Sequence, residues 1–142
     1  MAHLELTCAA VGKWRVVHTA SGASVTTDLP PEYGGSGSSF SATDLLAAAL
    51  GVCIATNIDS VAERHGVPLD ALAVAVEKTL TVNPKRLAGL DVTVRCSEPV
   101  AAGVLERLER AASHCLVHRS LHRDVAVTVT FQTAGQPDGA SR

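Results

Sequence analysis

The sequence predicts an α+β fold: a three-stranded N-terminal meander, a long helix, a two-stranded hairpin, a second helix and a closing strand. Three features of the chain point this way. Several segments alternate apolar and polar residues with period two, residues 45–55 are all apolar or Gly within a helix-length stretch, and the segment after Pro99 repeats apolar residues at helical spacing. Runs of strands broken by only two helices imply helices segregated against antiparallel sheet. At 142 residues the chain is long enough for one domain with a real core. We place that domain at residues 1–134 and read 135–142 as a flexible tail.

In the meander, Leu4, Leu6 and Cys8 share one strand face, and Trp14, Val16 and His18 share another. Ser21-Gly22 turns the chain, and a third strand fits residues 23–28. Cys8, in phase with two leucines, is expected to be a small buried hydrophobe. Pro30-Pro31 and the Gly- and Ser-rich residues 34–39 then predict a flexible loop. A Gly-rich loop before a helix can cradle phosphate. Here no Lys follows the glycines and no apolar parallel strand precedes them, so neither nucleotide fingerprint is met and a mobile lid or subunit-contact loop is the better reading.

Residues 41–66 predict the central helix. Ser41 with Asp44 three residues later forms a capping-box pattern, and His65-Gly66 followed by Pro68 is a stop signal. The helix is apolar on nearly all sides for its first half, as expected of a buried element. The uninterrupted run is about half of the ~20 residues of a membrane span, with charges close by, so we expect a core helix of a soluble protein. Leu72, Val74, Val76, Leu80 and Val82 predict a strand face, interrupted only by Lys78, before an Asn83-Pro84 turn. Leu90, Val92, Val94 and Cys96 line the next strand. In the second helix Val104, Leu105, Leu108, Ala111 and Ala112 form one stripe, and Cys115 extends it toward the core at the helix's C-terminal end. Val125, Val127, Val129 and Phe131 make the last strand.

Composition excludes several function classes. A net charge of −2 offers no basic surface for nucleic acid, and one Trp, one Tyr and two Phe provide no stacking platform for single strands. No secretory signal is evident, so we expect a cytoplasmic protein with four free or redox-active thiols rather than structural disulfides. His114, Cys115, His118 and His122 suggest metal ligation by residue type. A chain turning from helix to strand, the lack of a second Cys pair and the nearby Arg119 and Arg123 oppose it, so neither metal nor cofactor is expected.

Two segments carry the chemistry: Cys53 within Leu50-Gly51-Val52-Cys53-Ile54-Ala55-Thr56, and His114-Cys115-Leu116-Val117-His118-Arg119-Ser120-Leu121. Together, separated by two strands and a helix, they resemble the OsmC/organic hydroperoxide resistance (osmotically inducible protein C-like) family, over nearly the whole chain. The resemblance implies an OsmC-like α+β fold, with the two helices packed against antiparallel sheets in an intertwined homodimer. It also implies organic hydroperoxide reduction, with Cys53 attacking the peroxide, Cys115 resolving the product into a disulfide, and an external thiol as reductant. The family's peroxidases activate the cysteine with a Glu and an Arg. This chain has Thr43 at the Glu position, with Asp44 one residue late, and no Arg near Ala23 or Tyr33-Gly34, where the Arg falls.

Arg119 and Arg15 are the substitute cations we consider, with His118 as a base. A thiolate is the nucleophile, and an apolar mid-helix site raises a thiol's pKa, so Cys53 requires a cation or hydrogen-bond donor. A helix C-terminus would disfavour a thiolate at Cys115. Thr56 and Asn57, one turn on, either donate to Cys53 or satisfy the backbone, and neither is assigned a role. The alternative function is a dimer that binds a small hydrophobic or thiol-reactive ligand without turnover.

Overall fold

The computed structural model describes residues 3–135, so residues 136–142 of the expected tail lie outside the described residues. The chain divides into two compact units, residues 1–46 and 47–142.

In the first unit β1 (Leu4–Ala10), β2 (Lys13–His18) and β3 (Ser24–Thr26) form the expected antiparallel meander, in the order β1-β2-β3. The face predicted to be buried is not. Every residue of β1 is exposed, and Cys8 is an exposed thiol whose Sγ donates to the Ala10 carbonyl at 3.4 Å. Alternation marks a face built to be covered, and among the described residues this one is exposed.

The Gly-rich loop is also tied down rather than flexible. After one 3-10 turn at Pro31–Tyr33, Gly35 N–H donates to the Pro30 carbonyl at 3.2 Å and Gly37 N–H to the Leu29 carbonyl at 3.0 Å. A Cβ on Gly35 would lie 1.8 Å from the Leu29 oxygen, which only glycine avoids. The loop closes on Asp28, which is 2% exposed. Its Oδ2 accepts from Ser36 Oγ (2.6 Å), Ser38 N–H (2.9 Å) and Ser38 Oγ (2.8 Å), with Lys13 Nζ at 3.4 Å.

Helix α1 (Ala42–Arg64) has the ends the sequence predicts. Asp44 Oδ2 accepts from Ser41 N–H at 2.8 Å while Ser41 Oγ accepts from Asp44 N–H at 3.2 Å, so two free donors of the first turn are satisfied reciprocally. At the other end Gly66 adopts φ +69°. The Val67 N–H reaches the Ala62 carbonyl at 2.9 Å and the Gly66 N–H the Glu63 carbonyl at 3.2 Å, a complete Schellman cap.

In the second unit β4 (Leu72–Val82) and β5 (Lys85–Cys96) pair antiparallel, with Asn83-Pro84 cis at their turn. A bulge in the pairing between Thr79 and Leu80 interrupts the register, and beyond it Leu80 and Val82, expected inside, are exposed. The closing strand β6 (Ala126–Thr133) corrects the all-antiparallel expectation, because it runs parallel to β5. The helical segment between β5 and β6 supplies the long crossover that parallel neighbours need. That segment carries α2 (Ala102–Ala112) and a short α3 (Leu116–Ser120) that the periodicity did not reveal.

The core joins Leu50, Ile54, Ile58 and Ala62 of α1 to Leu90, Val92 and Val94 of β5 and to Leu108 and Ala112 of α2. Leu50, Ile54 and Ile58 are essentially inaccessible to solvent, each worth about 1.5–3 kcal/mol of hydrophobic stabilisation. Cys96 is buried, as expected. By length and composition α1 could cross a membrane; one stripe of it packs into the core, while Leu46 and Val52 on its other side are exposed, so the helix expected to be buried nearly all round is buried on one side. At Gly51 the helix approaches the sheet so closely that a Cβ would lie 2.9 Å from Val76 Cγ2. The glycine two residues before Cys53 therefore sets how near the cysteine's helix sits to β4.

Candidate active site

Cys53 lies at the margin of the buried stripe of α1. Its neighbours Leu50 and Ile54 are inaccessible, whereas Cys53 remains partly open and Val52 is 65% exposed. Cys115 is fully buried.

The structure revises the local setting of Cys115. Helix α2 stops at Ala112, where Ser113 Oγ donates to the Arg110 carbonyl at 2.6 Å and the chain turns through His114. Cys115 is extended (φ −62°, ψ 120°) and is the N-cap of α3, its Sγ accepting the His118 N–H at 3.4 Å. The sulfur therefore sits at the donor-rich start of a helix, not at the electronegative end of α2 as the periodicity suggested. Further first-turn N–H groups of α3, those of Val117 and Leu116, have no intrahelical acceptor and favour the Cys53 thiolate.

The two thiols shift each other in opposite directions. The neighbouring Cys115 thiol is the main cause holding the Cys53 thiol below its usual range; the Val117 N–H adds to this, burial opposes it, and the Leu116 N–H contributes last. Cys115 moves the other way. Burial pushes it up first, the neighbouring Cys53 thiol next, and the His118 N–H pulls partly back. Interactions that favour a charged form lower its pKa, so when the pair ionises the charge falls on Cys53 and Cys115 keeps its proton. All four cysteines are free thiols.

The other sequence candidates are placed differently. Arg119 is exposed; its N–H donates to the Cys115 carbonyl at 3.2 Å, and its guanidinium is not among the groups that lower Cys53. His118 acts through its main chain. Arg15, in the first unit, donates to Ser24 Oγ at 3.4 Å. His114 Nδ1 pairs with the Arg110 carbonyl at 2.7 Å and His122 with Asp124 at 3.4 Å, and among the described residues no three His, Cys, Asp or Glu side chains come together as a ligand set. An open cavity of about 480 Å³ at the strand ends is lined by Asp70, Arg95, Cys96 and Gln132, and neither Cys53 nor Cys115 lines it.

What the sequence did not disclose is that main-chain N–H groups contribute to lowering the Cys53 pKa. The available signal was the break between α2 and Leu116: a polar Ser113-His114 step followed by a residue able to cap a new turn.

Comparison with solved structures places this fold among named relatives. A Psychrobacter arcticus protein named for the osmotic stress and detoxification response superimposes with a TM-score of 0.86 at 24% identity, covering 93% of this chain and 96% of that one. The organic hydroperoxide resistance protein OsmC of Legionella pneumophila gives 0.74 at 19% identity over 93% and 96% of the two chains. The organic hydroperoxide resistance protein OhrB of Bacillus subtilis gives 0.64 at 13% identity over 93% and 98%. A comparison with curated protein sequences returns no match. The profile of the OsmC-like protein family matches residues 35–130, more than half of the sequence and inclusive of both cysteines, and the chain belongs to that family.

Proposed function

We propose that the protein is a thiol-dependent peroxidase that reduces organic hydroperoxides through Cys53 and Cys115. The observation that carries this is the sulfur pair itself, a partly open thiol held toward its ionised form by a buried thiol held toward its protonated form. A nucleophile and its resolving partner need that division of roles. Relatives named for organic hydroperoxide resistance support the substrate class, and the apolar surroundings of Cys53, including Val117 and Leu121 on the same core, suit a carbon-bearing peroxide.

In the first step the Cys53 thiolate bonds to the terminal peroxide oxygen, the O–O bond breaks, and the departing alkoxide takes a proton and leaves as alcohol. The Cys115 thiol then attacks the Cys53 sulfenic acid, forming a disulfide and releasing water. An external thiol, taken twice, reduces that disulfide and is itself oxidised to a disulfide. Leu116 and Val117 N–H groups replace the Arg and Glu that this sequence lacks, because a main-chain donor lowers a thiol's pKa by the same physics as a cation.

The functional unit is a homodimer acting in the cytoplasm. Val52 and Leu116, flanking the two cysteines, are 65% and 74% exposed, and β1 leaves Leu4 and Leu6 uncovered; these apolar surfaces support a second copy as their cover. Thiol titration with mass mapping, before and after one equivalent of cumene hydroperoxide, tests the reading. Rapid loss of two thiols as a Cys53–Cys115 disulfide, absent in Cys53→Ser, is expected. Unchanged thiols would reject the peroxidase and leave a dimer that binds a hydrophobic or thiol-reactive ligand.

A further inference from the structure

Asn57 stands four residues after Cys53 on α1, so the two lie on the same side of the helix. A helical side chain leans toward its helix's N-terminus, which brings the Asn57 amide over the turn that carries Cys53. Its Nδ2 is buried and has no hydrogen-bond partner among the described residues. Folded chains rarely leave a buried donor unpaired, and one that persists calls for an explanation, of which a catalytic role is one. Cys53 is not its acceptor in this structure, since the Asn57 Nδ2 has no hydrogen-bond partner at all among the described residues.

We propose that Asn57 donates a hydrogen bond to the oxygen that departs when Cys53 attacks an organic hydroperoxide. This rests on the peroxidase reading. As the S–O bond forms, the terminal oxygen keeps its hydrogen and the O–O electron pair moves to the carbon-bound oxygen, which takes a proton from water. Sulfur is oxidised and the peroxide is reduced. Negative charge therefore grows on the carbon-bound oxygen during the step, and a donor fixed beside it stabilises the transition state more than the bound substrate. The class of substrate follows from the same chemistry: a hydroperoxide whose organic group fits the apolar surroundings of Cys53 and whose leaving oxygen reaches the Asn57 amide.

Single-turnover oxidation of Cys53 by cumene hydroperoxide, measured beside its alkylation by iodoacetamide across pH, tests this in wild type, Asn57→Leu and Asn57→Ala. The expected result is a fall of about tenfold to a hundredfold in the hydroperoxide rate. The alkylation rate and its pH midpoint should not move, and Tm should hold or rise in Asn57→Leu, where an unpaired buried donor is replaced by an apolar group of similar shape. Hydroperoxide rates equal to wild type in both variants would overturn the inference while leaving the peroxidase reading intact. An equal fall in alkylation would also overturn it, because Asn57 would then act on the thiolate. A wild-type Cys53 that cumene hydroperoxide does not oxidise would reject the peroxidase reading and this inference with it.

Discussion

Asp28 and Cys53 are both acids held below their usual pKa by hydrogen bonds to their charged form, yet they do opposite things. Around Asp28 every donor converges on one oxygen, Oδ2, while Oδ1 is buried without a partner among the described residues. The Ser36 hydroxyl is the largest influence, followed by the Ser38 N–H and hydroxyl, with Lys13 beside them, and the carboxylate is almost wholly out of solvent. Around Cys53 the donors are one thiol and two main-chain amides, and one side of the sulfur stays open. The same physics thus fastens a loop where the acid is buried and leaves a thiol within reach of solvent where it is partly open.

The sharpest way to break this contrast is to remove the open thiol. Cys53→Ser should reduce hydroperoxide consumption to the background of the reagents, while thermal unfolding changes little, because serine is nearly isosteric and a hydroxyl stays protonated at neutral pH. If activity survived, the nucleophile would lie elsewhere.

Removing a donor from the open shell should give a smaller, graded effect. In Cys115→Ala the Cys53 pKa should rise, since the neighbour that most favours its thiolate is gone. Alkylation by iodoacetamide at pH 7 should slow several-fold, and its pH midpoint should move upward. An unchanged midpoint would assign the activation to Leu116 and Val117 alone.

For the buried acid, pH is the probe. The folded Asp28 pKa is depressed, so its contribution to stability is present above the ordinary aspartate value of about 4 and is lost as pH falls below it. Wild type should therefore lose stability on acidification below about pH 4 more steeply than Asp28→Asn, and the variant should have the lower Tm at pH 7. Parallel acid limbs in denaturant titrations at pH 2–7 would show that Asp28 is not the group responsible.

The smallest effects concern the helix that carries Cys53. Gly51→Ala gains about 0.5–1 kcal/mol of helix propensity but meets a Val76 methyl, where overpacking costs about 1–3 kcal/mol. A net destabilisation of about 1 kcal/mol is expected, relieved in the Gly51→Ala/Val76→Ala double variant. Ser41→Ala should cost about 1 kcal/mol by opening the capping box. Urea unfolding reads both.

Much of this fold could be read locally. The caps of α1 are written in Ser41, Asp44 and Gly66, and the stripe on α2 and the β5 face follow simple periods, so the structure agrees there. Where placement depends on something outside the segment, local pattern fails. The alternation of Leu4, Leu6 and Cys8 says that a face expects a cover but not who supplies it. The direction of β6 depends on how the crossover returns, which no strand period records. Cys53 and Cys115 stand out in the sequence by residue type, and Arg119, Arg15 and His118 are the activating groups it offers, because side-chain charge is visible in a sequence and a free backbone N–H is not. The Ser36 and Ser38 hydroxyls suggested a flexible linker until a buried partner, Asp28, was known.

The capping role of Cys115 has one more consequence. In the reduced protein its sulfur accepts the His118 amide and so holds the first turn of a helix only five residues long. Once that sulfur is joined to Cys53, its direction is set by a covalent bond, and the amide has to compete for what lone pair remains. Helicity in residues 116–120 would then report the oxidation state, and the His118 amide would exchange with deuterium faster in the disulfide form. A reductant searching for oxidised molecules would meet a loosened segment at the place where it has to enter.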